Sequence, residues 1–410
     1  MEMLEIIAIG TVILVLATIV NTITERTGIP RVLLYLLLGV LVGDILGIYK
    51  PLTFYTLKGL EIFVEIILLM VLFYGGFSID VKSLRGILVL GFILATAGAF
   101  FTAFSIGFLF WALFPAVPLL IALAVGTMLA PNDPIAVFST VGITEFDERT
   151  ETIAKVESGF DDTIVTTVVL MILVPMILSG EANILFAVGY FLWLTGSAIA
   201  IGVAVGYLFF LISKYIKSEE INPLITLLAP FVTFIISYYL RSSEYVAAFI
   251  AGLTLCRLLL GSKQFSSHYW KSRTTWDVLF KLFEAMAFIT LGALVVISEF
   301  IEYLPMVLAL TMLLLLVRPM EVAIFSAKSD LKLKDKVFLS YIAMKGIDPT
   351  ILAIALVVLV PGTDYVIQLI FGTILFLTVI QSLILWALFF RKTSISTCLL
   401  YTSPSPRDRG

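Results

Sequence analysis

Apolar stretches of about 17–25 residues recur along almost the entire chain, and this repetition constrains the fold more than any other feature. Each stretch is long enough for a helix to cross the ~30 Å hydrocarbon core of a bilayer. Of the 410 residues, 60% are hydrophobic and 13% are charged, too little charge to cover a soluble protein of this size. The sequence therefore predicts an all-α membrane protein with about thirteen transmembrane helices, whose main partner is the lipid bilayer.

Positive charges are distributed unevenly over the predicted connections. Eighteen Lys and Arg residues lie in connections that follow odd-numbered spans, against three (Lys50, Lys58 and Arg241) in connections that follow even-numbered spans. Cytoplasmic loops carry such an excess of positive charge. We therefore expect a multi-pass protein of the cell membrane, with its N-terminus outside and its C-terminus in the cytoplasm.

Two predicted spans, near 117–139 and 337–360, are interrupted by polar residues and proline. The first contains residues 131–134 (Pro-Asn-Asp-Pro) and the second residues 345–349 (Lys-Gly-Ile-Asp-Pro). Proline removes a backbone donor and disfavours helical geometry at the residue before it. Each span is therefore predicted to consist of two half-helices joined by an unwound segment, with a simple proline kink as the alternative.

Similar short segments recur in the two halves of the chain. Residues 72–77 (LFYGGF) resemble 289–296 (ITLGALVV), and residues 37–43 (LLGVLVG) resemble 247–253 (AAFIAGL). These similarities predict two six-helix repeats in residues 1–180 and 217–392, linked by a seventh span in 181–216. Corresponding spans cross in opposite directions, so the repeats are inverted. Paired broken helices at matching positions indicate the binding site of a transporter.

Acidic residues stand at the head of the sixth span, in residues 155–162 (KVESGFDD). An ionised group without a partner at that depth costs at least ~2.5–3.5 kcal/mol. Helical spacing places Glu157 and Asp161 on one face, and Ser158 and Asp162 on the neighbouring face. We expect the first pair to face Arg318, which cannot neutralise itself by losing a proton.

The predicted charge network consists of Glu157, Arg318, Lys345 and Asp348. A purely structural network is the alternative interpretation, but two cations cannot offset five acids (Asp133, Glu157, Asp161, Asp162 and Asp348). At least one carboxyl must therefore hold a proton whenever no external cation is bound.

A carboxylate that alternately binds a proton and a hard cation exchanges one for the other. Oxygen ligands suit such a cation, and Asp162, Asp133 and Ser158 supply side-chain oxygens that would bind it transiently. Backbone carbonyls freed by the break between Thr127 and Asn132 add further ligands. The sequence thus predicts an exchange site for a hard alkali cation and protons.

With these residues, the chain resembles the monovalent cation:proton antiporters, and in particular the NhaP-type sodium/proton antiporters. The family's S-P-T-D-P appears as residues 130–134, its E-S-x-x-N-D as residues 157–162, its Arg-Pro as residues 318–319 and its Arg-Gly as residues 345–346. The resemblance covers about residues 1–391. It implies a homodimer with a core domain and a dimerisation domain, and alternating access by movement of the core.

The resemblance also implies roles for individual residues. Asp162 would carry the ion and the proton, Asp133 and Ser158 would help to bind the ion, and Glu157 and Arg318 would form a structural pair. Position 161 is Asp where NhaP-type exchangers usually have Asn. Members with paired Asp are typically electrogenic, so Asp161 leaves the stoichiometry open.

Other functions fit less well. A potassium/proton antiporter is the nearest alternative, since nothing in the sequence measures cation size. An intramembrane aspartyl protease also uses two buried Asp, but its Gly-x-Gly-Asp is missing here. One histidine and two cysteines disfavour a nucleophile–base pair or a resident metal cluster. We expect neither enzyme activity, nor a cofactor, nor a nucleic-acid partner.

The last residues differ in composition from the rest of the chain. Residues 393–410 are predicted to form a tail without a membrane span, rich in Ser and Pro toward its end. From about residue 398 this tail is expected to be non-native, and residues beyond that point do not contribute to the fold prediction.

Overall fold

The computed structural model describes residues 3–27, 29–47, 57–79, 88–133, 148–181, 183–216, 218–262, 264–342 and 344–390. In these residues, the regular secondary structure is entirely helical. The first seven helices are α1 (Met3–Thr27), α2 (Arg31–Val40), α3 (Leu57–Ser78), α4 (Leu88–Ile93, continued by Ala99–Leu113), α5 (Leu119–Met128), α6 (Glu148–Val168, continued by Val174–Ser179) and α7 (Ile184–Ile216). The others are α8 (Asn222–Tyr239), α9 (Glu244–Gly261), α10 (Ser266–Ala293), α11 (Ile297–Phe325), α12 (Leu333–Tyr341), α13 (Ile347–Leu359) and α14 (Tyr365–Leu385).

The helices have the length and composition of membrane spans. Eight of the described helices are long and apolar enough to cross a bilayer, and three shorter apolar helices accompany them. Single π-helical turns (Leu41–Ile45, Leu94–Gly98, Val169–Leu173 and Trp386–Phe390) extend or interrupt α2, α4, α6 and α14. The all-helical, multi-pass prediction is therefore confirmed.

Glycines allow two pairs of helices to pack with their backbones in close contact. A Cβ atom on Gly292 of α10 would lie 2.9 Å from the Cα of Gly39 in α2. In the same way, a Cβ on Gly252 of α9 would lie 2.8 Å from the backbone nitrogen of Phe77 in α3. In a bilayer no hydrophobic effect drives helices together, so their association depends on close van der Waals packing. Small residues such as glycine permit that packing.

Both predicted interruptions fall where helices end. The helix α12 ends at Tyr341 and α13 begins at Ile347, so the twelfth span is divided into two half-helices. The helix α5 ends at Met128, and residues 129–133 are not helical. The rest of the predicted fifth span, from Pro134 onward, lies outside the described residues, as does the tail after residue 390.

The structure changes the interpretation of two polar residues. The polar sequence of residues 262–274, which contains the single histidine, is typical of a loop, but most of these residues belong to α10, which begins at Ser266 and buries the side chain of His268. Arg31 is one of the eighteen Lys and Arg residues counted above in connections after odd-numbered spans, but it is also buried and forms an ion pair within the protein. Local polarity did not indicate burial in either case, and for Arg31 the reason is that its partner Glu284 lies 253 positions away.

Candidate functional site

The two interrupted spans meet at their breaks. The backbone N–H of Asp133, after α5, donates a hydrogen bond of 2.8 Å to the carbonyl oxygen of Met344, before α13. A Cβ atom on Gly346 would lie only 2.6 Å from Oδ2 of Asp133, so a side chain at position 346 would collide with this carboxylate. The unwound segments therefore touch directly, and backbone groups that a continuous helix would use internally become available here.

Lys345 holds the break of the fifth span. Its ammonium group donates to the carbonyl oxygens of Pro131 at 2.8 Å and Ala130 at 3.3 Å, and to Oδ1 of Asn132 at 3.0 Å. These carbonyls follow the C-terminal end of α5, where the helix dipole favours a positive charge. The charge of Lys345 is thus directed at the backbone of the break.

Arg318 of α11 stands between two carboxylates. Its Nη1 lies 2.6 Å from Oε1 of Glu157 in α6 and 2.7 Å from Oε1 of Glu321, one turn along α11. A third bond goes from Nη2 to the carbonyl of Leu339 at 3.3 Å. The expected contact of Glu157 with Arg318 is present, but the second carboxylate on the arginine is Glu321.

Glu321 was not among the site residues predicted from the sequence. Its Oε2 accepts a hydrogen bond of 2.6 Å from the hydroxyl of Thr102 in α4, and the side chain is buried. The Arg-Pro-Met-Glu spacing was the available signal, because residues three positions apart are neighbours on a helix. The partner Thr102 carries no such signal, since 219 positions separate it from Glu321.

Asp161 accepts its hydrogen bonds from the backbone. The N–H of Asn132 donates to its Oδ2 at 3.3 Å, and the N–H of Asp162 donates to its Oδ1 at 2.7 Å. The side chain of Asn132 also bridges to Oε1 of Glu157 at 3.2 Å. The expectation that Asp161 would share Arg318 with Glu157 is therefore not met by the observed ion pairs, in which Glu321 takes that place.

The remaining predicted ligands gather around Asp162. The hydroxyl of Ser158 lies 3.5 Å from Oδ2 of Asp162, and the carboxyl group of Asp348 is within hydrogen-bonding reach of that of Asp162. Asp133 is near enough to interact electrostatically with both acids. Thr127, by contrast, donates its hydroxyl hydrogen to Leu123 of its own helix at 2.6 Å.

The described part of the chain contains no cluster of three His, Cys, Asp or Glu side chains arranged to hold a resident metal ion. The oxygens around Asp162 include alcohol and carboxyl groups, the donor types that a hard monovalent cation accepts. The arrangement suits a transported ion that is bound and released.

A second buried ion pair, which sequence reasoning missed, lies near this group. Nε of Arg31 in α2 is 2.7 Å from Oε2 of Glu284 in α10, and both side chains are buried. Asp133 interacts electrostatically with both partners. The two residues are 253 positions apart, so no local pattern could have paired them.

A cavity of about 310 Å³ opens farther along the same helices. Its lining includes Leu170 of α6 and Ala355 of α13, two turns beyond Asp162 and Asp348 respectively. Three acids, Glu61, Glu65 and Glu244, border it from α3 and α9. The cavity therefore lies about two helical turns from Asp162 along α6 and from Asp348 along α13.

The unwound segments of the two interrupted spans meet beside buried acids, and such an arrangement is typical of the ion-binding site of a membrane transporter. The chain belongs to the sodium/hydrogen exchanger family, whose transmembrane model matches residues 11–391. The resemblance found in the sequence is thereby confirmed. This family transports ions rather than catalysing a reaction, and it uses no cofactor. The comparisons do not support the intramembrane protease alternative.

Several curated relatives are similar over most of this chain. The K(+)/H(+) antiporter NhaP of Alkalimonas amylolytica is 28% identical over 86% of this chain and 60% of its own length. The K(+)/H(+) antiporter NhaP2 of Shewanella sp. (strain ANA-3) is 25% identical, and the match covers 91% of this chain and 64% of that protein. The Na(+)/H(+) antiporter ApNhaP of Aphanothece halophytica is 23% identical, and the match covers 89% of this chain and 70% of that protein. The chain thus spans less than two thirds of the first two relatives.

The fold is also that of a solved structure. The sodium proton antiporter MjNhaP1 from Methanocaldococcus jannaschii, at pH 8, superposes with a TM-score of 0.82. The match covers 93% of this chain and 99% of that one, at 22% sequence identity. The predicted antiporter fold is therefore confirmed, and the exact number of thirteen spans stays a prediction.

Proposed function

We propose that this protein is a secondary active antiporter that exchanges a small monovalent cation, sodium in the first instance, for protons by alternating access. The observation that carries the proposal is the contact of the two helix breaks with each other and with the acidic segment of α6, through the N–H of Asp133 to Met344 and the N–H of Asn132 to Asp161. This contact places Asp162 where it interacts with Asp133 and Asp348, one from each break. These acids need compensating positive charge, which a proton or a cation supplies in turn. Asp162 is the proposed carrier, with Asp133, Ser158, Asn132 and Thr127 helping to bind the ion.

Neighbouring charges have supporting roles in this proposal. Glu157 and Arg318 stabilise the head of α6 against α11, and Lys345 keeps the carbonyls of the first break in place. The cavity beside Glu65 and Glu244 offers an approach for the ion from one side of the membrane. Movement of α6 and α13 against α3 and α9 would open and close this approach.

The close contacts between helices support the proposed inverted repeats in residues 1–180 and 217–392. If the second span corresponds to the ninth and the third to the tenth, a contact between α2 and α10 must be matched by one between α9 and α3. Both contacts are present, and each is made through glycine. We further propose that the protein lies in the cell membrane as a homodimer, with its N-terminus outside and its C-terminus in the cytoplasm.

Potassium/proton exchange is the second candidate, because two of the relatives with similar sequences are named as K(+)/H(+) antiporters. Inside-out vesicles loaded with a ΔpH-sensitive dye distinguish the two. Na⁺, Li⁺ or K⁺ is added to separate samples. The proton gradient should dissipate only in samples that receive a transported ion. Vesicles containing Asp162→Asn serve as the control, and absence of a response to all three ions would refute antiport.

A further inference from the structure

Asp348 is the acid whose surroundings fit its predicted structural role least well. It lies in the first turn of α13 with 3% of its surface exposed, and its carboxyl group is in hydrogen-bonding reach of Asp162. One of its oxygens, Oδ1, is buried and receives no hydrogen bond from the described part of the chain. Asp348 thus lies beside the proposed carrier with at least one buried oxygen that no donor occupies.

A role limited to charge balance does not account for this arrangement. Lys345, the neighbouring cation, directs its hydrogen bonds to Ala130, Pro131 and Asn132 instead. A favourable interaction with the N-terminal dipole of α13 explains why an acid is tolerated in the first turn. It does not explain contact with a second carboxyl, since two like charges in a buried site disfavour each other's ionised form.

We propose that Asp348 is a second carboxylate ligand of the transported monovalent cation, which binds between Asp162 and Asp348. The inference rests on the proposed antiport function and names a further residue of that same site. A cation between the two carboxyls removes their repulsion and gives the free Oδ1 a ligand role. The two breaks then contribute equivalently, because each provides one aspartate, Asp133 or Asp348, and in the sequence each of these aspartates is followed by proline.

Cation binding to the purified protein tests the proposal without requiring transport. Binding to the folded state raises the melting temperature as the cation concentration exceeds its dissociation constant. Titrations with Na⁺, Li⁺ and K⁺ therefore give an apparent affinity for each ion. Asp348→Asn should weaken Na⁺ binding by at least about tenfold, since loss of even an outer partner of a metal ligand has effects of that size.

A positioning role and a ligand role differ in two further readouts. Asn keeps the size of the side chain and removes the repulsion with Asp162, so the melting temperature without added cation should not fall. Asp162→Asn combined with Asp348→Asn should weaken binding by less than the product of the single effects, because both variants remove ligands of one ion. Glu299→Gln is the matched control, as Glu299 also lies in the first turn of a helix, α11, and should leave cation affinity unchanged.

Each outcome decides between the hypotheses. Unchanged Na⁺, Li⁺ and K⁺ affinities in Asp348→Asn, with a wild-type protein that binds and exchanges cations, would overturn the ligand role and leave the antiport proposal intact. A wild-type protein without cation-dependent stabilisation or exchange would overturn the antiport proposal itself. If Asp348→Asn does not fold, Asp348→Glu decides. Glutamate at position 348 has a longer side chain and should change the ratio of the Na⁺ and K⁺ affinities. A ratio equal to that of the wild type would refute the inference.

Discussion

Removal of Arg318 is predicted to destabilise the protein strongly, because two buried carboxylates depend on this one cation. Nη1 lies 2.6 Å from Glu157 and 2.7 Å from Glu321, and all three side chains are buried. Deleting one partner of a buried pair typically costs ~3–5 kcal/mol, since the other charge remains without compensation. With two acids left behind, Arg318→Ala should fall at the upper end of this range.

The expected change in melting temperature follows from the length of the chain. At about 2.1 cal/mol/K of unfolding entropy per residue, a 410-residue chain loses roughly 4–6 °C for ~3–5 kcal/mol. Thermal unfolding in detergent, followed by intrinsic fluorescence, measures this shift. Arg273→Ala is the control. Its pair with Asp277 is partly exposed, with 23% and 44% of the two side chains accessible, and such pairs contribute only ~0–1 kcal/mol.

A compensating variant separates charge from packing. Arg318→Met combined with Glu157→Gln and Glu321→Gln removes all three charges together, and replacement of a whole buried network by neutral groups is often tolerated. This triple variant should recover most of the melting temperature lost in Arg318→Ala. A melting temperature of Arg318→Ala within about 1 °C of the wild type would refute the reasoning, because the stated cost corresponds to several degrees.

Two further predictions concern the crossing of the broken helices. Asp162→Asn should abolish cation-driven proton movement in proteoliposomes while the protein still folds and inserts; exchange near the wild-type rate would remove Asp162 from the carrier role. Gly346→Ala should lower the melting temperature by an amount equivalent to ~1–3 kcal/mol, because its Cβ would collide with Asp133. Gly196→Ala, which would meet no atom within 4 Å, is the control, and equal effects of the two variants would contradict the crossing geometry.

The sequence was most informative where a local pattern has a direct physical meaning. Apolar runs predicted the spans, and proline with polar residues predicted where the helices are interrupted. Helical spacing also placed Glu157 and Asp162 on different faces of α6. Arginine was a suitable partner for Glu157 because its charge is permanent, and the observed ion pair agrees with that expectation.

Spacing along one helix does not determine which distant residue that helix will face. Glu321 displaced Asp161 as the second partner of Arg318, and Thr102 of α4 holds Glu321 from the other side. The pair of Arg31 and Glu284 depends on the glycine-mediated contact of α2 with α10. Such pairings arise from tertiary packing, and the one-dimensional pattern contains no record of them.

The last prediction concerns Asp161 and the electrical character of transport. Arg318 has a single charge and is already shared by Glu157 and Glu321, while Lys345 bonds to the first break. Asp161 receives two backbone N–H donors, whose partial charges cannot replace a full cation. We therefore expect Asp161 to take up a proton during part of the cycle, which would add a second proton for each cation.

An imposed membrane potential tests this expectation in proteoliposomes. If two protons move for each monovalent cation, every cycle transfers net charge, and the initial exchange rate must respond to the potential. In Asp161→Asn the amide can still accept a hydrogen bond but cannot exchange a proton, so exchange should continue and its voltage response should disappear. A wild-type rate that is independent of voltage would show that Asp162 alone exchanges. A voltage response that persists in Asp161→Asn would assign the extra proton to an acid other than Asp161.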